Sequence, residues 1–146
     1  MSKAEGPVMQ VLEAYKAAVH EKDVDAFMHL YTEDVRVFDA WDTWSYEGTA
    51  AWRKMIEQWF AAHNTERLRA SMDAVQATAG PTLAVVSAIV TYTGVSSEGE
   101  ELRAVHNRLS WALRPEGGAW KIFHEHTSAP IGFNDLKAIL QRDKAT

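Results

Sequence analysis

Tyr15, Asp39, His124 and His126 are the side chains of this sequence whose types and spacing suit acid–base chemistry. Asp39 closes the run Val35-Arg36-Val37-Phe38-Asp39, where Val35, Val37 and Asp39 alternate with Arg36 and Phe38. Alternate residues of a strand share a face, so this pattern places a carboxylate at the end of a core-facing row. Burial disfavours the charged form and raises the pKa, which suits a general base. The two histidines lie in Trp120-Lys121-Ile122-Phe123-His124-Glu125-His126-Thr127-Ser128, entered through the turn Pro115-Glu116-Gly117-Gly118. As one regular strand, this segment puts Trp120, Ile122, His124, His126 and Ser128 on one face and Lys121, Phe123, Glu125 and Thr127 on the other. A face that starts apolar and ends in imidazoles and a hydroxyl suits the wall of a partly polar pocket.

Each candidate also has a plainer reading. Asp39 could simply turn the chain before Ala40-Trp41. Tyr15 could be a core tyrosine whose hydroxyl finds a backbone carbonyl. His124 and His126 could be hydrogen-bonded core residues, acid–base groups, or two metal ligands with Asp39 as the third. With no cysteine and no further assured ligand, a metal is not expected. Arg108 is a partner for a carboxylate if it faces inward and part of a dimer surface if it faces outward. The alternation of Val105, Asn107, Leu109, Trp111 and Leu113 with His106, Arg108, Ser110 and Ala112 leaves both open. Trp41, Trp44 and Tyr46 cluster in one loop, where so much aromatic surface suits a lid or an interface. Trp52 and Trp59 form a helical stripe facing the core, with Trp52 able to reach a ligand.

The elements that position these residues follow from periodicity. Val8, Leu12, Tyr15 and Val19 recur at helical spacing, so residues from about Pro7 to Glu21 are predicted to form an amphipathic helix. Asp23 can cap a second helix with Val24, Phe27, Met28 and Tyr31 on its apolar face, ended by Thr32-Glu33-Asp34. A short strand ends at Asp39, a loop runs from Ala40 to Tyr46, and Gly48-Thr49 opens a third helix carrying Trp52, Ile56, Trp59 and His63. The remainder is β in pattern. Leu68, Ala70, Met72 and Ala74 alternate, Gly80-Pro81 turns the chain into the two-sided apolar strand Leu83 to Tyr92, and Leu102 to Leu113 pairs with the Trp120 strand. Asn134 to Arg142, with Leu136, Ile139 and Leu140, is predicted to be a short terminal helix. Helices followed by an antiparallel meander make an α+β pattern.

Composition narrows the function classes. At 146 residues and 47% hydrophobic content, residues 1–146 are expected to form one domain with its own core. A net charge of -5 without a basic stripe argues against nucleic acid as a partner. No run of apolar residues is long enough for a membrane span, and Met1 to Pro7 lacks the apolar core of a signal peptide. With no cysteine in the sequence, the expectation is a cytoplasmic protein.

Three helices with one short strand inserted, followed by four long antiparallel strands, resemble the NTF2-like superfamily, the fold of ketosteroid isomerase, SnoaL-like cyclases and scytalone dehydratase. The resemblance is carried by Val11-Leu12-Glu13-Ala14-Tyr15, Asp23-Val24-Asp25, Val35 to Asp39, Tyr46-Glu47-Gly48 and the ending Trp120 to Pro130. That ending is similar to SnoaL-like proteins of the DUF4440 type and to the association domain of calcium/calmodulin-dependent protein kinase II. It implies an NTF2-like (cystatin-like) cone, a curved antiparallel sheet with helices packed on its concave face. In ketosteroid isomerases a helix-1 tyrosine donates to the oxyanion, a strand carboxylate moves the proton, and a protonated acid is the second donor. The resemblance puts Tyr15 and Asp39 in the first two places and Asn107 at or near the third, where its amide is a weaker donor. The implied function is cofactor-free isomerase, cyclase or dehydratase chemistry on a small carbonyl compound, with Asp39, Tyr15, His124 and His126 catalytic. Asn107, Arg108, Trp41, Trp52 and Ser128 would contact the ligand. The competing expectation is a non-catalytic ligand-binding or oligomerisation module holding a small carboxylate on Arg108 and the histidines. In either case the expected partners are a small molecule and a second copy of the chain, since a strand apolar on both faces needs cover on both.

Overall fold

In a computed structural model that describes residues 5–142, the first periodic segment forms α1 (Glu5–Glu21), with Val8, Leu12, Tyr15 and Val19 buried along one side. Asp23 caps α2 (Val24–Met28) by accepting from the Ala26 amide at 3.0 Å. The sequence reading carries this helix through Tyr31, but it stops at Met28 and Tyr31 opens β1 (Tyr31–Phe38). Strand pairing wins there. Leu30 accepts from the Ile122 amide at 2.8 Å, Tyr31 sits opposite Ile122, and the β-branched Thr32, Val35 and Val37 fit a pleated surface. A short β2 (Tyr46–Glu47) leads into α3 (Thr49–Ala62), which buries Trp52, Ile56 and Phe60. Between them Gly48 takes a φ of 85°, a left-handed conformation that favours glycine.

The long strands β3 (Arg67–Ala79), β4 (Ala84–Val95), β5 (Glu101–Glu116) and β6 (Ala119–Ser128) form an antiparallel meander. The sheet of six strands runs β2-β1-β6-β5-β4-β3. It is mixed rather than wholly antiparallel, because β1 and β6 are joined through α3 and the meander and lie parallel. Bulges interrupt the ladders in β3 and β6, and such insertions bend a sheet. The helices cover the concave face, where α1, Phe27 and α3 meet Leu109, Trp111, Leu113 and Ile122. The architecture is α+β and cystatin-like.

The predicted terminal helix from Asn134 to Arg142 does not form. Residues 129–142 instead make irregular turns with one bridge, Ile131 to Ala138. Strand β5 outruns β6, so the Ala104–His106 edge lacks a neighbour, and the tail fills it. Leu140 accepts from the His106 amide at 2.8 Å, and Gln141 donates to the Ala104 carbonyl. Pairing an open strand edge outweighs a short helix whose Leu136 has no core to enter and stays 78% exposed. Among the described residues no helix is long and apolar enough to cross a membrane.

Candidate functional site

One inserted residue decides which side chains of β6 enter the core. Ala112 pairs with His124 but its neighbour Leu113 pairs with Ile122, so Phe123 is extra and the pleat of β6 shifts. Ile122 faces inward before the bulge; after it Glu125 and Thr127 face inward, opposite Trp111 and Leu109. His124, His126 and Ser128 pair with Ala112, Ser110 and Arg108 on the outer row. The regular alternation expected from sequence, which put both histidines beside Ile122, is therefore broken at Phe123.

Beneath the helices lies a cavity of about 330 Å³ bounded by Tyr15, Asp39, Tyr92, Asn107 and Glu125, with Phe27, Trp41, Trp52, Trp59 and Leu68 among its apolar walls. Tyr15 enters from α1, Asp39 from the end of β1, Tyr92 from β4, Asn107 from β5 and Glu125 from β6. Asp39 continues the inward row of Val35 and Val37, both fully buried. Its Oδ1 accepts from Thr127 Oγ1 at 3.0 Å, and Thr127 Oγ1 in turn accepts from the Ala40 amide at 2.9 Å. Burial raises the Asp39 pKa, while the Thr127 hydroxyl and the Trp41 and Ala40 amides pull it back.

Glu125 is 1% exposed, and a single oxygen takes both of its donors. Oε1 accepts from Tyr31 Oη at 2.5 Å and from Trp111 Nε1 at 2.9 Å. Among the described residues Oε2 carries no hydrogen bond. Burial first, and then the charge of Asp39, lifts the Glu125 carboxyl from its ordinary 4.5 to about 7, against the pull of Tyr31 and Trp111. Tyr15 and Tyr92 stand 2.7 Å apart, hydroxyl to hydroxyl. Burial raises both phenols well above their ordinary range, so they stay protonated and available as donors. Asn107 spends one amide hydrogen on the His106 carbonyl at 2.8 Å. Trp52 Nε1 is buried and, among the described residues, has no hydrogen-bond partner.

The rim of the same cavity carries Arg103, paired with an acid. Arg103 Nη2 donates to Glu66 at 2.9 and 2.7 Å and stands 3.1 Å from His63 Nδ1. Arg103 and His63 hold the Glu66 carboxyl down at about 2. Lys22 Nζ braces the turn by donating to the carbonyls of His63 and Glu66 at 2.5 and 2.6 Å.

The residues singled out from sequence thus divide. Tyr15, Asp39, Asn107, Trp41 and Trp52 converge on the cavity. His124, His126, Arg108 and Ser128 do not. His124 Nδ1 lies 2.8 Å from the Arg36 carbonyl with its ring against Phe38, and His126 borders the shallow cleft under the loop carrying Trp44. Arg108 Nε donates to Ser128 Oγ at 2.9 Å on the outer face, which resolves the direction that alternation left open. Trp44 is 97% exposed and borders that outer cleft, not the inner cavity. Among the described residues, no three His, Cys, Asp or Glu side chains group as a metal site would require.

Sequence reasoning missed Glu125, Tyr92, Arg103 and His63 as cavity residues and Thr127 as the partner of Asp39. Arg103 was within reach, being one step further along the inward row of Val105, Asn107, Leu109 and Trp111. Glu125 carried no such signal, because Phe123 has none of the glycine or turn character that marks many bulges.

Residues 8–132 match the family model described as a SnoaL-like domain. An NTF2-like protein of unknown function from Pseudomonas putida KT2440 superposes with a TM-score of 0.86 at 24% identity, covering 98% of this chain and 99% of that one. A putative aromatic ring hydroxylase from Novosphingobium aromaticivorans gives 0.70 at 22% identity over 86% and 88% of the two chains. A putative calcium/calmodulin dependent protein kinase II association domain from Xanthomonas campestris gives 0.67 at 19% identity over 84% and 85%. At these identities the likeness is one of fold. No curated protein matches in sequence.

Proposed function

The chain belongs to the SnoaL-like domain family, and on that premise we propose that its inner cavity moves a proton beside a carbonyl group of a small, flat substrate without a cofactor. The observation that carries this reading is the pair of inward carboxyls, Asp39 and Glu125, held in one cavity under different conditions. Asp39 keeps a hydroxyl donor and two amides that favour its charged form, so it is the base. Glu125 is the more deeply buried and keeps its proton to about pH 7, so it is the acid. Asp39 takes a proton from the carbon next to the carbonyl, and the C–H electrons move to make an enolate. The enolate oxygen accepts from protonated Glu125 Oε2 and from the Tyr15–Tyr92 pair. Asp39 then returns its proton to another carbon of the conjugated enolate, which completes an isomerisation; if that proton instead goes to a β-hydroxyl that departs as water while the enolate electrons form the C=C bond, the same site is a dehydratase.

The test is deuterium uptake into the methyl group of benzylideneacetone in heavy water, followed by NMR. Wild-type protein is expected to catalyse it, and Asp39→Asn to slow it ~10²-fold or more while the probe still binds. No uptake above background with wild type, or full rate with Asp39→Asn, would refute the proposal. The absence of cysteine fits a reducing compartment, so the reading places this reaction in the cytoplasm.

A second reading draws on the outer face. Val85 is 49% exposed there, beside Ile89 and a groove walled by Pro130 and Ile139. Such a surface, with the fold likeness to an association domain, supports pairing of two copies through the sheet. Sedimentation as a monomer at micromolar concentration would remove it.

A further inference from the structure

We infer that the substrate of this cavity is an anionic carbonyl compound, a flat apolar molecule bearing a carboxylate that is held at the rim by Arg103 while the carbonyl reaches Asp39 and Glu125. The inference rests on the proton-transfer reading for its carbonyl end and adds the substrate class.

The cavity is electrically polarised along its length. Two acids, Asp39 and Glu125, stand at one end and Arg103 at the other, with Lys22 bonded to the carbonyls of His63 and Glu66. Arg103 is the cation among the described residues that line the cavity, and Lys22, outside the lining, offsets the charge of Glu66. Arg103 also has capacity left. Only Nη2 is committed, to Glu66 and beside His63, whereas Nη1 and Nε have no hydrogen bond among the described residues. With Nη2 engaged, Nη1 and Nε can each give a ligand carboxylate a single charge-assisted hydrogen bond. The seat is shaped for that pair: a Cβ on Gly94 would lie 3.2 Å from Glu66 Oε2 and 3.4 Å from Arg103 Cζ, so a side chain there would crowd both.

Geometry then sets size and direction. Arg103 and Asn107 occupy the same inward row four residues apart, about 13 Å along the strand, the span of a one- or two-ring molecule with substituents at both ends. Trp41, Trp52 and Trp59 supply flat walls. Entered the other way round, the ligand carboxylate would meet the charged Asp39, and like charges in a poorly hydrated cavity repel strongly. One orientation remains, carbonyl first.

The experiment compares p-carboxybenzylideneacetone with its methyl ester by titration calorimetry on the intact protein at low salt. The acid is expected to bind about tenfold or more tightly than the ester, allowing for the partial exposure of Arg103. Arg103→Ala should remove that preference by weakening the acid while leaving the ester within about twofold. Glu66→Gln, which removes the competing negative charge beside Arg103, should tighten the acid further. Equal binding of acid and ester to wild type, or a preference that survives Arg103→Ala, overturns the inference. Should Arg103→Ala fail to fold, Glu66→Gln decides: tighter acid binding upholds the rim site and unchanged binding overturns it. Because binding is read without turnover, the two claims separate. An acid preference through Arg103 with no deuterium uptake would sink the reaction and leave the carboxylate site, and uptake with no acid preference would do the reverse.

Discussion

The two faces of β5 and β6 carry similar chemical types under opposite conditions. Inward, Asn107, Glu125 and Thr127 lie among Leu109, Trp111 and Leu113, nearly cut off from water. Outward, His106, Arg108, His126 and Ser128 sit where solvent reaches them. Burial is what separates them. A carboxyl in the core rises to about 7, whereas the outer polar groups satisfy one another, as Arg108 does with Ser128. The residues that look most catalytic as letters, the two histidines, are on the wrong face, and a glutamate of ordinary appearance is on the right one. Potential for acid–base work is therefore a property of the pleat as much as of the side chain.

The largest effect expected from this contrast is on stability as pH changes. Folding holds the Glu125 proton more tightly than the unfolded chain does. Its stabilising contribution is thus full below the ordinary 4.5 and is lost as pH rises through about 7. The loss is on the order of 3 kcal/mol for a shift of this size. Glu125→Gln keeps an acceptor for Tyr31 and Trp111 but cannot ionise, so urea midpoints measured between pH 5 and 8 should fall less for it than for wild type. Parallel curves would place the acid in a solvated site and erase the difference between the faces.

A smaller effect is expected at the support of Asp39. Thr127→Val removes the donor to Asp39 Oδ1 and the acceptor of the Ala40 amide, at about 1–2 kcal/mol by urea unfolding. Without that hydroxyl the Asp39 pKa rises further, and the rising limb of any proton-transfer rate should move to higher pH. Smallest is the outer face. The double variant His124→Gln, His126→Gln should change deuterium uptake by less than about twofold and stability by roughly 0.5 kcal/mol. A large loss of activity from it would reverse the assignment of faces.

Most of the scaffold was legible in the sequence because it is written in periodicity. Val8, Leu12, Tyr15 and Val19 at helical spacing give α1, and Val35, Val37 and Asp39 at strand spacing aim Asp39 inward. What failed involved competition between distant segments. Tyr31 left its predicted helix because Ile122 and Glu125 offered it a strand partner and a hydrogen bond. The tail from Asn134 to Arg142 has helical spacing but pairs with the open edge of β5 instead. The bulge at Phe123 is the costliest case for function, since a shift of one residue exchanges the rows of β6 and with them the histidines for Glu125.

The central claim is that Glu125, turned inward by that bulge, is the acid of the cavity. Its most direct test is the pH dependence of deuterium uptake into benzylideneacetone by wild type and Glu125→Gln, with probe affinity measured alongside. Wild type should lose activity as pH rises through about 7, and Glu125→Gln should lack that limb and be slower by ~10²-fold or more, with affinity for the probe little changed. A Glu125→Gln protein that exchanges the probe at the wild-type rate, or that keeps the limb near 7, would contradict the claim.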